Sequence, residues 1–173
     1  SQEDLVYLGN SDPVLYGGLN NIFHWKNFQF SMYFIYSLGG SIYNWSEMFM
    51  GGGIVTNQYR YMLDAWHPVR NPDSWYPRAG VDDKFPPSSF MVHDASYLRI
   101  KTLQVSRTFD LSKTRVFKNM TVSLKGDNLW LWTEYNGYDP DVSTDNDGST
   151  LRRVDKGAYP RSRAFILGFQ FNF

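Results

Sequence analysis

Ala164-Phe165-Ile166-Leu167-Gly168-Phe169-Gln170-Phe171-Asn172-Phe173 decides the reading of this chain. Taken with period two, Phe165, Leu167, Phe169, Phe171 and Phe173 face one way, and Ala164, Ile166, Gly168, Gln170 and Asn172 face the other. Alternation of this kind is that of a β-strand with one wholly apolar face. A strand packed on a soluble core usually mixes β-branched residues into its buried face, and this face has none. The pattern therefore favours lipid as the medium on that side, with a sandwich strand as the alternative.

The same period recurs upstream. Phe28, Phe30, Met32, Phe34 and Tyr36 alternate with Gln29, Ser31, Tyr33, Ile35 and Ser37. Before them Leu19, Asn21, Phe23 and Trp25 alternate with Asn20, Ile22 and His24, and Lys26-Asn27 offers a two-residue hairpin connection. In 96–110, Leu98 and Ile100 are out of phase with Leu103, Val105 and Phe109, which a β-bulge near Lys101-Thr102 would repair. In 120–134, Met120, Val122 and Leu124 alternate with Thr121, Ser123 and Lys125 until Gly126 interrupts. The expectation is five strands, at about 18–25, 28–37, 96–110, 120–134 and 163–173.

Composition sets the outer limits. The 173 residues carry 17 basic and 17 acidic side chains, and this neutrality argues against nucleic acid, which demands excess Lys and Arg. The absence of cysteine removes disulfide frameworks and thiol nucleophiles. The longest apolar run, Met32 to Tyr36, is far too short for a spanning helix, and polar Ser1-Gln2-Glu3-Asp4 is no signal peptide. Six Trp, 12 Tyr and 13 Phe are more rings than one soluble core usually holds.

Connection lengths sharpen this. Lys26-Asn27 and 111–119 are short, whereas 38–95 and 135–162 are long enough to count against a compact soluble domain. Short turns alternating with long loops are the habit of transmembrane β-barrels, whose long loops face the outside. All but the first strand reach the roughly 9–11 residues that a spanning strand needs.

A family likeness then emerges from motifs in series. They begin with Tyr16-Gly17-Gly18-Leu19-Asn20-Asn21, leading into Trp25-Lys26-Asn27-Phe28-Gln29-Phe30-Ser31. Asn71-Pro72-Asp73 and Tyr76-Pro77-Arg78 follow, then Asp94-Ala95-Ser96-Tyr97-Leu98-Arg99-Ile100-Lys101-Thr102-Leu103. Gly126-Asp127-Asn128-Leu129-Trp130, Trp132-Thr133-Glu134-Tyr135-Asn136-Gly137-Tyr138-Asp139-Pro140-Asp141 and Tyr159-Pro160-Arg161-Ser162-Arg163 complete the series ahead of the last strand. In this order they resemble the late barrel strands of SusC/RagA-like TonB-dependent outer-membrane transporters of Bacteroidetes. Ser162, where a second Pro or another polar residue is common, and the loop around Trp75 depart from the family pattern.

The resemblance implies an all-β fold, the C-terminal five antiparallel strands of a transmembrane barrel of about 22 strands. Nothing in 1–173 resembles the plug or the TonB-contacting segment. Five strands cannot close a barrel, which takes about eight or more, so the remaining N-terminal barrel and plug must come from elsewhere. The implied role is the wall and extracellular loops of an importer for oligomeric nutrients, glycans or peptides. The implied partners are a SusD-like lipoprotein lid, TonB acting through the absent N-terminal part, and outer-membrane lipid. No enzyme activity, cofactor or metal is expected. The alternatives are a small self-contained outer-membrane barrel, which needs three further strands inside 38–95, and a soluble carbohydrate-binding β-sandwich.

Site residues follow from this reading. Phe28, Phe30, Phe34, Phe165, Phe169, Phe171 and Phe173 are expected to meet lipid, with Trp130, Trp132, Tyr135 and Tyr33 in the interfacial aromatic girdles. Phe173 resembles the terminal aromatic that barrel-assembly machinery recognises; an ordinary strand end is the plainer account. Gln29, Ser31, Ser37, Ser123, Lys125, Asp127, Gln170 and Asn172 are expected to face the lumen or brace the plug. In the loops Trp45, Trp66, Trp75, Tyr76 and Tyr138 are candidates for contact with cargo or lid.

Gly51-Gly52-Gly53 gives hinge-like freedom, and Thr56 could cap a helix with Tyr59, Met62, Leu63 and Trp66 on one stripe, stopped by His67-Pro68. Packing against neighbouring loops is the plainer role for that stripe. Ser143-Thr144-Asp145-Asn146-Asp147-Gly148 echoes a calcium loop but lacks its first Asp and its final Glu, so a solvated acidic turn is expected. His24, His67 and His93 show no metal spacing, and no nucleophile elbow or carboxylate pair for glycosidic chemistry is present.

Overall fold

The computed structural model describes residues 5–52, 56–80, 87–114, 116–144 and 153–173. These residues hold eight strands in chain order: β1 (Leu15–Trp25), β2 (Phe28–Leu38), β3 (Ser41–Asn44), β4 (Val92–Asp94), β5 (Tyr97–Asp110), β6 (Asn119–Thr133), β7 (Val154–Asp155) and β8 (Ala164–Asn172). One short helix, α1 (Glu47–Met50), and two 3-10 turns, Arg60–Asp64 and Ser89–Met91, accompany them. The chain divides into two compact units, one built on residues 13–39, 96–134 and 160–173, the other on 1–12, 40–95 and 135–159.

The first unit is a single antiparallel sheet in the order β1-β2-β5-β6-β8. Lys26 takes positive φ (54°) in the β1–β2 turn, and Thr108 N–H donates to Asn27 O at 3.0 Å to fasten that turn to β5. Strand lengths run from 9 residues in β8 to 15 in β6. Each strand is therefore long enough to span a bilayer. Among the described residues no helix is long and apolar enough to do so. β1 and β8 are the edges of this sheet, and their outer backbone groups have no strand partner among the described residues. In hydrocarbon such groups must be satisfied by barrel closure.

β1 begins at Leu15, earlier than its sequence suggested. Gly17 and Gly18 do not break it, because rings from β2 fill the space their side chains leave. A Cβ at Gly17 would lie 2.9 Å from Tyr36 Oη, and one at Gly18 2.9 Å from Tyr33 Cε2. The expected bulge is present. Pairing shifts between Ile100 and Thr102, and Asn128 on β6 takes φ 52° beside it. A left-handed residue at such a step is tolerated by Asn more readily than by most non-Gly residues.

Register turns the period-two pattern into faces. Trp25, Phe28, Arg107, Val122 and Phe169 align in one row across all five strands. Phe23, Phe30, Val105, Leu124 and Leu167 form the next, and Asn21, Met32, Leu103, Gly126 and Phe165 the one beyond. Past the bulge Phe34 pairs with Ile100, and Ile100 with Trp130. Phe165 is 74% exposed and Leu167 61%, far more apolar surface than a strand on a packed core presents.

The second unit has its own small core. β3 is central, antiparallel to β4 and parallel to β7. Ile42, Met48, Met62, Met91, Ala95, Tyr135 and Val154 are buried in it. At Gly137 any Cβ would collide with the Tyr135 ring, so the chain must pass there as glycine. The connections at 38–95 and 135–162 are thus partly ordered rather than irregular throughout. Among the described residues, the strands between 38 and 95 are too few and too short for a self-contained barrel, since β3 has 4 residues and β4 has 3.

One local expectation is corrected. No α-helix follows Thr56, whose hydroxyl donates to Phe49 O at 2.6 Å, and only the 3-10 turn Arg60–Asp64 forms. The stripe dissolves accordingly, with Met62 buried and Leu63 79% exposed. Earlier in the 135–162 connection Asp139 is buried, and its Oδ1 accepts from Asp141 N–H at 2.9 Å. Residues 145–148 of the calcium-like stretch, and Gly53, lie outside the described residues.

Candidate functional site

Two places gather polar chemistry. The first is the polar face of the five-stranded sheet. His24, Gln29, Ser106, Ser123 and Gly168 align across it, followed by Ile22, Ser31, Gln104, Lys125 and Ile166. Gly168 leaves room for Ser123, whose Oγ would lie 2.7 Å from a Cβ built there. The first of these rows, with Gln104 from the second, lines a trough of about 520 Å³ near the β1–β2 turn, and Thr121 and Gln170 complete its wall.

All eight expected lumen-side residues, Ser37 included, share this face. Gln29, Ser123 and Gln170 line the trough itself, and Ser31 stands one row beyond. Lys125 Nζ and Asp127 Oδ2 are 2.9 Å apart, and Thr102 Oγ1 donates to Asp127 Oδ1 at 2.9 Å. Asn172 Nδ2 donates to Asn119 Oδ1 at 2.6 Å. These pairs tie β5, β6 and β8 together on one side, which suits a stiff wall. Tyr33 belongs to this face as well, opposite Thr102 and Asn20, and not to an outward girdle, because its ring covers Gly18. Phe173 follows β8 and is 73% exposed, its ring 5.2 Å from that of Phe117.

The second place is a pocket of about 550 Å³ within the loop unit. Trp75, Tyr76, Tyr61 and Phe90 form its aromatic side, and Glu47, His93 and Asn136 its polar side. Glu47 opens α1 and is buried, and its Oε2 lies 2.7 Å from His93 Nε2 on β4. A carboxylate shielded from water in this way depends on its partner. Tyr76 stacks on Tyr61 at 4.8 Å, and Phe90 meets both rings edge-on near 6 Å. Tyr61 Oη is buried without a hydrogen-bond partner. Burial, then the neighbouring Glu47 charge, pushes its hydroxyl well above the usual tyrosine range.

Behind the pocket Tyr135 crosses His93 edge-on at 5.8 Å, and its hydroxyl donates to Asp155 Oδ2 at 2.7 Å. Asp155 Oδ1 accepts from Gly157 and Ala158 N–H at 2.9 and 3.0 Å. Tyr135 is therefore a buried strut and not a girdle residue.

Of the five loop candidates, the structure brings Trp75 and Tyr76 together at the pocket. Trp45 lies half-buried with Lys156 Nζ 5.4 Å above its ring, and Trp66 Nε1 donates to Pro72 O at 2.9 Å. Tyr138 is 69% exposed and is not among the residues that line this pocket. Sequence reasoning missed Glu47, His93, Tyr61 and Phe90, whose neighbourhood is made by chain return and carries no spacing signal. Among the described residues no group of three or more acidic or histidine side chains is placed to hold a metal ion.

Comparison with known proteins covers the whole chain. It is 34% identical over 182 residues to TonB-dependent receptor P26 of Formosa agariphila, and 32% identical over 180 residues to TonB-dependent receptor P3 of the same organism. TonB-dependent receptor SusC of Bacteroides thetaiotaomicron is 25% identical over 176 residues. Each alignment takes in 100% of this chain, which spans 18% of the length of the two Formosa relatives and 16% of SusC. Among solved structures, the RagAB peptide importer in its open-open state matches with a TM-score of 0.77 at 26% identity, covering 95% of this chain and 18% of that one. A further structure of the RagAB peptide transporter gives 0.78 at 25%. No protein-family model matches.

Proposed function

This chain is homologous over its whole length to TonB-dependent receptors and corresponds to the C-terminal five strands of their transmembrane barrel; from that premise we propose that it serves as wall and outer loops of a SusC-like nutrient importer in a bacterial outer membrane. The observation that carries the proposal is the register itself. Five spanning-length strands place Trp25, Phe28, Val122 and Phe169 on one face and His24, Gln29, Ser106 and Ser123 on the other. Such a sheet fits lipid on one side and a polar interior on the other.

In this reading Gln29, Ser31, Ser123, Lys125, Asp127, Gln170 and Asn172 line the lumen and brace the plug. Phe173 closes the strand that the assembly machinery reads. The connections 38–95 and 135–162 are extracellular. There Trp75 and Tyr76 meet oligomeric cargo or the SusD-like lid, with Trp45, Trp66 and Tyr138 as further contact points. The remaining barrel and plug belong to the N-terminal part of the transporter, and TonB acts through that part. Transport here changes no covalent bond. RagAB is a peptide importer, which favours oligomers of that size without choosing between peptide and glycan for this chain.

Growth decides the matter. A strain in which the gene encoding this segment is deleted is grown on oligosaccharides and, separately, on peptides as limiting nutrient. Loss of growth on one class, restored by the wild-type gene and not by a Trp75→Ala/Tyr76→Ala double variant that reaches the membrane, supports the reading. Undiminished growth and uptake on every oligomer tried would overturn it.

A further inference from the structure

We propose that Arg107 is a binding site for the phosphate of a membrane glycerophospholipid, set at the end of the apolar face beside the Lys26-Asn27 turn. The inference rests on reading that face as the one in contact with lipid. Among the described, paired residues of the face, Arg107 is the one charged side chain, standing between Phe28 and Val122 in the row that also holds Trp25 and Phe169. A cation in a row of rings and branched chains needs a reason, and the geometry supplies one.

The Arg107 guanidinium carbon lies 5.0 Å from the Phe28 ring centroid and 4.7 Å from that of Phe109. Two ring faces hold a planar, weakly hydrated cation without using its N–H groups. The side chain is exposed, and no acidic residue pairs with it among the described residues. A guanidinium fork left with free donors matches the two oxygens of a phosphate. A second cation, Lys26 Nζ, sits 5.3 Å over Trp25, whose ring stacks on Phe28 at 6.0 Å.

Position selects the ligand. Arg107 pairs with Phe28, the first residue of β2 after the turn. It is therefore at the end of the spanning segment, where aromatic belts lie and where the penalty for a cation on the lipid face falls away. The acyl chains of a lipid bound there would run along Phe30, Val105 and Leu124 in the next row. A free phosphate would find the same fork but none of that apolar surface.

The test uses the complete transporter carrying this segment, purified in detergent and titrated with phosphatidylglycerol or with diacylglycerol of the same chains, bound lipid being counted by native mass spectrometry. The wild type is expected to prefer phosphatidylglycerol by at least tenfold. Arg107→Gln is expected to abolish the preference. Phe28→Leu with Phe109→Leu, which keeps the charge and removes the clamp, is expected to weaken it several-fold. Lys113→Gln, a cation in the 111–118 turn outside the row, should leave it unchanged.

Retention of the preference in Arg107→Gln, or an equal loss in Lys113→Gln, overturns the proposal. If Arg107→Gln cannot be recovered folded, an unchanged preference in the Phe28/Phe109 pair does the same. A nitroxide at Leu167→Cys separates the underlying reading. If it contacts acyl chains while no phosphate preference exists, only this proposal falls. If it meets water alone, the lipid-facing assignment falls with it.

Discussion

His93 Nε2 lies 2.7 Å from Glu47 Oε2, joining β4 to the first residue of α1 across 46 positions of sequence. Glu47 is 2% exposed, so the imidazole stands in for the water that the carboxylate has lost. Removing the histidine strands the charge, and breaking a buried pair in this way costs about 3–5 kcal/mol. His93→Ala should loosen the loop unit by that amount, and Glu47→Gln, which leaves no charge behind, by less. Rates of limited proteolysis within 40–95 report the difference. Equal rates in both variants would mean that the carboxylate is solvated after all.

Tyr135 supplies the second strut. Burial, then the hydrogen bond to Asp155 and that residue's charge, hold its hydroxyl far above the ordinary tyrosine range. The sign follows directly. A phenol that stays protonated in the folded unit but ionises near pH 10 when unfolded contributes stability that is intact below pH ~10 and is lost as pH rises beyond it. The loop unit should therefore become protease-sensitive in alkali. Tyr135→Phe should be weaker at neutral pH by about 1–3 kcal/mol, because Asp155 then loses a donor in a buried setting. It should also show a flatter decline above pH 10, as comparison of cleavage rates at neutral and alkaline pH would reveal.

Gly168 and Ser123 are a space-filling pair. A Cβ at Gly168 would stand 2.7 Å from Ser123 Oγ on the neighbouring strand. Gly168→Val should strain the β6–β8 contact by about 1–3 kcal/mol and narrow the trough. Ser123→Gly in the same chain should restore most of that loss. Heat-modifiable mobility of the folded barrel on gels measures both. A double variant no better than Gly168→Val would show that the strain lies elsewhere.

Much of the sheet was legible because its signal is local. Phe165, Leu167, Phe169 and Phe171 needed only period two, and the phase slip between Ile100 and Leu103 announced the bulge that the pairing shows. The start of β1 was not legible, since two successive glycines carry no side chain for alternation to count, and only the structure shows the Tyr36 and Tyr33 rings against them. Alternation already set Tyr33 with Gln29 and Ser31, and the outer-belt reading overrode it; what alternation could not tell is that the ring covers Gly18. The loop unit hid for a different reason. Ile42, Ala95 and Tyr135 make its core from three distant stretches, and β3 and β7 meet in parallel through only two residue pairs. No window of sequence contains such a contact. Glu47 and His93 looked like unrelated polar residues in irregular chain, although they are the best-defined polar contact there.

The two faces of the sheet predict opposite responses to the same charge. Leu103 lies in the apolar row with Met32 and Gly126, whereas Ser31 lies across the sheet in the polar row with Gln104 and Lys125. Both rows fall well inside the strands, away from the turn. A basic residue on the lipid face costs about 2–4 kcal/mol near the bilayer midplane, and one facing the lumen tunes selectivity with little loss of stability. Leu103→Arg should therefore lower the unfolding midpoint of the reconstituted transporter or its yield in the membrane. Ser31→Arg should leave both near wild type while changing flux of charged cargo. Denaturant unfolding in liposomes compares the two directly. A Leu103→Arg barrel as stable as Ser31→Arg would place water, not lipid, against the face that carries Phe30, Leu124 and Leu167.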